Sequence, residues 1–268
     1  MKRRSHWALK LVSLAAFLIL YVPIIMLVVY SFINPAQLQS SQGLWTLDWY
    51  RKVFANRALL DALLVSLWVG VCTTIIATVL GTAATLAVER SKFPGRKFFS
   101  AVALMPLMTS EIMLGLSLLI WFVALNLTLG VFSIILAHVT FSISYVIVTV
   151  GARLQDFDRS LEDAARDLGA SPWQTFWRVT FPLIWPGVLS GALMVFTLSF
   201  DDFLITFFTS GVGSDTLPLK LYSMIKFGLT PEVNALSTLL LLTTFVLVFF
   251  LTTQNGLKVL RKKVAGTQ

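Results

Sequence analysis

Long apolar runs separated by short charged segments dominate this chain: Leu11–Ile33, Leu59–Val88, Phe98–Leu125, Val131–Arg153, Leu183–Phe208 and Val233–Leu257. A helix needs about 20 apolar residues to cross the hydrocarbon core of a bilayer. The pattern therefore predicts an all-α membrane protein with six transmembrane helices. Only Asn126 to Gly130 separate the third run from the fourth, which predicts a tight helical hairpin. The first run follows Met1-Lys2-Arg3-Arg4 and imitates a signal peptide. It is too long for such an apolar region, and no A-x-A site follows, so it reads as an uncleaved first span.

Composition agrees with this reading. Of the 268 residues 57% are hydrophobic and 13% are charged, and the mean hydropathy is +0.82. A soluble domain carries roughly 25% charged residues, whereas a lipid-facing surface must lack them. The net charge of +8 would suit nucleic acid, but its placement decides otherwise. With the N-terminus inside, the inner segments hold Lys2, Arg3, Arg4, Lys10, Arg90, Lys92, Arg96, Lys97, Arg153, Arg159, Arg166, Arg178, Lys258, Arg261, Lys262 and Lys263. The outer loops hold only Arg51, Lys52, Arg57, Lys220 and Lys226. The positive-inside rule then puts both termini in the cytoplasm. Residues 1–58 read as a first span with its periplasmic loop, 59–258 as the main transmembrane domain and 259–268 as a cytoplasmic tail.

Two local patterns stand out. Gly70, Thr74, Thr78, Gly81, Thr82 and Thr85 recur at steps of three and four in the second span, a small-residue face that lets helices approach closely in lipid. Between the fourth and fifth spans, residues 153–182 predict two short helices. Ser160 with Asp163 forms one capping box, and Ser171 with Gln174 another. Gly169 can close the first helix in the left-handed conformation, Pro172 suits the first turn of the second, and Pro182 marks the entry to the fifth span. A DNA-binding helix–turn–helix is disfavoured: four arginines meet five acids there (Asp156, Asp158, Glu162, Asp163, Asp167), the wrong balance for phosphate. The compact motif reads as a protein-docking element on the cytoplasmic face.

The spacing of this stretch resembles the EAA loop of ATP-binding-cassette (ABC) importer permeases: E-A-A, three residues, Gly, nine residues, then I-x-L-P. Here Asp163-Ala164-Ala165 is followed after three residues by Gly169 and after nine more by Val179-Thr180-Phe181-Pro182. Asp replaces Glu, Val replaces Ile and Phe replaces Leu; Glu162 directly precedes Asp163, so either acid fills the first position. The resemblance implies a coupling helix that seats in a groove of a cytoplasmic ATPase dimer, with Glu162, Asp163, Ala164, Ala165, Gly169 and Pro182 as its residues. It also implies an inner-membrane location, a second homologous permease and a periplasmic binding protein.

Further segments are similar to the spermidine/putrescine importer permeases, in particular to the second of the two permease subunits of such a system: Ser199-Phe-Asp201-Asp202-Phe203, Leu217 to Lys226, Pro231 to Ser237 and His138-Val-Thr-Phe141. They imply a polyamine solute. Independently, ionisable groups inside spans are costly and functional. At about 1.5 Å per residue, Glu111 falls near mid-membrane, and Asp201, Asp202 and His138 in the outer half. Asp201, Asp202 and Glu111 are the acids expected along a cation path. No GxxxxGK[ST], HExxH or GxSxG motif occurs, so no catalytic site, metal or cofactor is expected and ATP hydrolysis falls to a partner chain. Cys72 stands alone, with no disulfide partner and no metal spacing to His6 or His138. An ABC permease for another solute is the sibling reading. A proton-coupled polyamine exchanger is the rival from a different class, and it leaves the docking loop without a role.

Overall fold

A computed structural model describes residues 3–34, 45–90, 94–155, 158–228 and 230–246. Among them the chain is helical apart from loops and one isolated antiparallel bridge, Ile33 with Trp45. The helices are α1 (Arg3–Tyr30), α2 (Asp48–Ala55), α3 (Arg57–Arg90), α4 (Arg96–Leu104), α5 (Glu111–Ala124), α6 (Val131–Gln155), α7 (Ser160–Asp167), α8 (Pro172–Thr175), α9 (Phe181–Asp201), α10 (Leu204–Thr209), α11 (Leu217–Phe227) and α12 (Pro231–Val246). Four are long and apolar enough to cross a membrane, or five if a bent pair counts as one. The sixth expected span is described only as far as Val246. Lys92, Asp156, Lys258, Arg261, Lys262, Lys263 and the tail expected over 259–268 lie outside the described residues.

The chain divides into two compact units, Leu60–Lys220 and the two flanks together. In the first, α6 is the central helix. Val146 and Val150 of α6 pack with Ala77 of α3 and with Ile184, Val188 and Val195 of α9. The approach is close because small residues line the crossings. A Cβ on Gly191 of α9 would lie 2.7 Å from the Thr149 hydroxyl, and one on Gly81 of α3 would lie 2.6 Å from Val146 Cβ. Gly81 of the expected small-residue face thus packs against α6, whereas Gly70 lies against Phe196 of α9. Thr74 and Thr85 return their hydroxyls to the Gly70 and Gly81 carbonyls of their own helix.

Two expectations of unbroken helix are corrected. The third span is bent by 112° between Met108 and Glu111. Pro106 opens a 3-10 turn over Met105–Met108, and Thr109 and Ser110 are extended. Proline removes one backbone donor and disrupts the ladder; the Ser144 hydroxyl of α6 donates to the Ala103 carbonyl at 2.6 Å beside the break. The arm beyond, α5, packs on α10 as well as α6: Leu118 and Phe122 meet Ala137, Phe141 and Ile205. The fifth span also breaks, at Asp202, whose ψ of 127° ends α9 before α10 begins.

In the flanking unit, the chain after α1 folds back onto α2. Thr46 donates its N–H to the Phe32 carbonyl (2.8 Å), Trp49 its ring N–H to Ile33 (3.0 Å), and Ser31 and Tyr50 share a 2.7 Å hydroxyl bond.

The Gly81 contact makes a prediction. Gly81→Ala must push Val146 and approaches the Ile143 carbonyl (3.2 Å), whereas a Cβ on Gly130 meets open space. Thermal unfolding of the detergent-purified protein should show Gly81→Ala destabilised by about 1–3 kcal/mol through overpacking. Gly130→Ala should stay within about 0.5 kcal/mol of the parent.

Candidate functional site: a docking loop and a broken span

The loop between α6 and α9 carries the residues expected to dock on a partner. Its first helix, α7, is not entered through a Ser160–Asp163 box as expected. Asp158 accepts the Ser160 N–H at 3.0 Å instead, and Arg159 occupies the cap position. That bond, then the Ser160 hydroxyl, holds the Asp158 carboxyl below its usual range. At the other end the expectation holds. Gly169 sits at φ +85°; its N–H donates to the Arg166 carbonyl at 2.8 Å, and the Ala170 N–H to Ala165 at 3.0 Å. This pair of bonds is the Schellman closure of a helix. The second box is also present: Gln174 N–H donates to Ser171 Oγ (3.3 Å), and Ser171 N–H donates to Gln174 Oε1 (3.0 Å).

The second limb is not a separate short helix. A π segment, Phe176–Thr180, joins α8 to α9, so one helix runs from Pro172 to Asp201. Pro182 lies inside it, in the first turn of α9, rather than at a boundary. At about 1.5 Å per residue, its 30 residues reach about 45 Å. Single-turn π bulges recur at functional positions in helices.

The adjacent acids point apart. Glu162 is buried; Arg90, in the last turn of α3, pairs with its carboxylate, and the Thr180 hydroxyl donates to the same oxygen. Arg90 also donates to Thr180 Oγ1 at 3.2 Å. Asp163 is exposed, 3.8 Å from Arg166 on its own helix. Ala164 and Gly169 are exposed with it, beside the bare side chains of Leu168 and Trp173. Sequence reasoning read Arg90 only as a topology signal, and Thr180 only as a spacer in the motif.

The path candidates also separate. Asp201 ends α9 exposed, with no bonded partner among the described residues. Glu111 opens α5 just past the bend, and it too is exposed; an acid suits a helix start. Asp202 turns inward, its side chain 6% exposed. Its Oδ2 accepts the Thr206 N–H and hydroxyl, both at 2.8 Å, and lies 3.2 Å from His138 Nε2. His138 of α6 is fully buried, with Nδ1 2.7 Å from Ser199 Oγ. The cluster fastens α6 to both sides of the break between α9 and α10. Nothing in the spacing of His138, Ser199, Asp202 and Thr206 signals it; the partners come from different helices.

With the geometry in view, comparison with known proteins decides the family. Residues 77–265 match the family described as "binding-protein-dependent transport system inner membrane component". The chain belongs to that family. It is a multi-pass inner-membrane component of a transport system that depends on a binding protein. It is 41% identical over 245 residues to the "putrescine transport system permease protein PotI" of Escherichia coli K12, covering 89% of this chain and 86% of that one. It is 39% identical over 234 residues to the "spermidine/putrescine transport system permease protein PotC" of the same strain, covering 87% and 88%. A bacterial ABC transporter that imports the acidic polysaccharide alginate shares the fold, with a TM-score of 0.69 at 17% identity over 94% of this chain and 98% of that one. A methionine ABC transporter, MetNI, in an inward-facing form, gives 0.57 at 18% identity over 72% and 90%.

Two predictions come from these geometries. Open space surrounds Gly169, so its φ and not its size restricts substitution. Left-handed backbone costs an ordinary residue roughly 1–2 kcal/mol, and asparagine less. ATP-driven uptake at matched expression should therefore fall more for Gly169→Val than for Gly169→Asn; equal loss in both would show that bulk matters. For the broken span, Asp202→Asn should lower unfolding stability by about 1–3 kcal/mol by weakening the acceptor for Thr206 and His138. Asp201→Asn should change it by less than about 0.5 kcal/mol.

Proposed function

We propose that this chain is one of two permease subunits forming the translocation path of a polyamine importer, with spermidine and putrescine as its solutes. The supporting observation is the similarity, over nearly nine-tenths of the chain, to permeases named for putrescine and for spermidine/putrescine transport. In this reading the chain spans the membrane six times with both termini in the cytoplasm, residues 1–58 preceding a transporter domain at 59–258 and a tail at 259–268. Its partners are a cytoplasmic ATPase pair, a homologous permease and a periplasmic polyamine-binding protein.

The loop formed by α7 and α8 couples the chain to the ATPase. Asp163, Ala164, Ala165 and Gly169 form the face that seats in the partner, and Glu162 and Pro182 set its attachment to the spans. Solute binding draws on Asp201 and Glu111, exposed acids on mainly apolar helices. A polyamine carries at least two ammonium groups, and removing their water inside a membrane is expensive unless anionic groups compensate. Asp202 is occupied by its own network, so it acts by holding the break in place beside Asp201. An ABC permease for another solute keeps the coupling and changes the path residues. A proton-coupled exchanger leaves the loop without a task.

The test is uptake of labelled spermidine and putrescine in cells lacking other polyamine importers, with this chain supplied alongside its partner subunits. Uptake should stop when ATP is removed while the proton gradient is kept; persistence on the gradient alone favours the exchanger. Asp201→Asn should lower uptake roughly tenfold at matched membrane expression, about 1.4 kcal/mol of lost charge compensation, with basal ATP hydrolysis unchanged. Undiminished uptake in both Asp201→Asn and Glu111→Gln would remove these acids from the path.

A further inference from the structure

The two neighbouring acids of the docking loop have different surroundings, and the difference assigns them different tasks. They lie about 100° apart around α7. Asp163 faces outward with its side chain 71% exposed, while the Glu162 side chain is 10% exposed. Arg90 and Thr180 converge on one Glu162 oxygen and also bond each other. These three residues come from three elements: the docking helix α7, the last turn of α3, and the π segment that precedes α9. A second tie runs parallel, with Arg159 Nη2 donating to the Glu89 carbonyl at 3.0 Å. The two ties hold one face of α7 against the end of α3, and its other face is free.

We propose that Glu162 is a positioning residue for coupling, the internal brace that carries displacement of α7 into α3 and into the long helix ending at Asp201, while Asp163 is the acid that meets the ATPase. This rests on the coupling role of the loop proposed above. A surface pair of long flexible side chains transmits little, because it rearranges in place. A largely desolvated carboxylate with two donors resists such rearrangement, since breaking it leaves a buried charge without its partner. Arg90 bonds Glu162 and Thr180 through the same nitrogen, Nη2. Thr180 closes the π segment, where the ordinary ladder is already disrupted. A push on α7 therefore reaches the long helix at its π segment.

The experiment uses the complete importer purified with its ATPase and reconstituted in vesicles. It compares Glu162→Gln, Thr180→Val, Thr180→Ser, the exchange of Arg90→Glu with Glu162→Arg, and Asp163→Asn. Two readouts are taken from each: the ATPase retained on purification, and solute imported per ATP hydrolysed. Glu162→Gln and Thr180→Val should keep the ATPase within about twofold of the parent, yet lower import per ATP about tenfold, a usual size for a coupling interaction. Thr180→Ser should stay near the parent. The charge exchange should recover at least half of the loss seen with Glu162→Gln, and if it fails to assemble, the two single variants decide. Asp163→Asn should do the reverse and weaken ATPase retention. Loss of the ATPase from Glu162→Gln but not from Asp163→Asn would make Glu162 the docking contact and overturn the assignment, with the loop's coupling role intact. Unaltered import per ATP in Glu162→Gln and Thr180→Val would also overturn it. If the parent importer retains no ATPase through this loop, the coupling role itself fails, a different result from either.

Discussion

A backbone inside hydrocarbon has no water to bond, so it must bond itself, and any interruption of a helix has to find its partners within the protein. This constraint orders the whole structure. The long helices α3 and α6, free of internal proline, satisfy it with their own ladders. The two breaks satisfy it by recruiting side chains from α6. Ser144 serves the bend before α5. His138, with Ser199, Asp202 and Thr206, serves the break after α9. The central position of α6 in the packing and its supply of polar groups to both breaks are the same fact seen twice. The exposed acids Glu111 and Asp201 sit immediately beside these two interruptions.

The exposed loop between α6 and α9 follows a different logic. Water is available there, so bonds are kept for geometry rather than for survival. The Schellman closure at Gly169 and the box at Ser171 and Gln174 fix the angle between α7 and α8. The continuity of α8 with α9 then makes the docking loop the end of a lever about 45 Å long.

Hydropathy was enough to locate the apolar segments, because lipid demands length and lack of charge and little else. Local chemistry was enough for Gly169 and the Ser171 box, where cause and effect lie within four residues. It misjudged the entry to α7, since Asp158, Ser160 and Asp163 offer competing caps two and three residues apart. Pro106 was the visible trace of the third span's bend, but hydropathy does not register direction. Pro182 looked like a boundary because proline ends most helices; the π segment ahead of it absorbs the interruption. The division between Glu162 and Asp163, and between Asp201 and Asp202, was out of reach for a physical reason. Neighbours on a helix face different surroundings, and the partners that decide them lie far off: Arg90 is 72 residues from Glu162, His138 is 64 from Asp202, and Thr180, 18 residues from Glu162, belongs to another element.

In the proposed coupling, the exposed face of α7 and the turn after it touch the ATPase and move with it. Cross-linking tests it most directly. A single cysteine at Leu168, in a chain whose Cys72 has been replaced, is joined to the ATPase by a short bifunctional reagent in membrane vesicles. Leu168 is 89% exposed beside Gly169. A cross-link to the ATPase should form, its yield should change when ATP is added, and it should stop uptake once formed. A fully functional importer in which Leu168 never reaches the ATPase, with or without ATP, would contradict it.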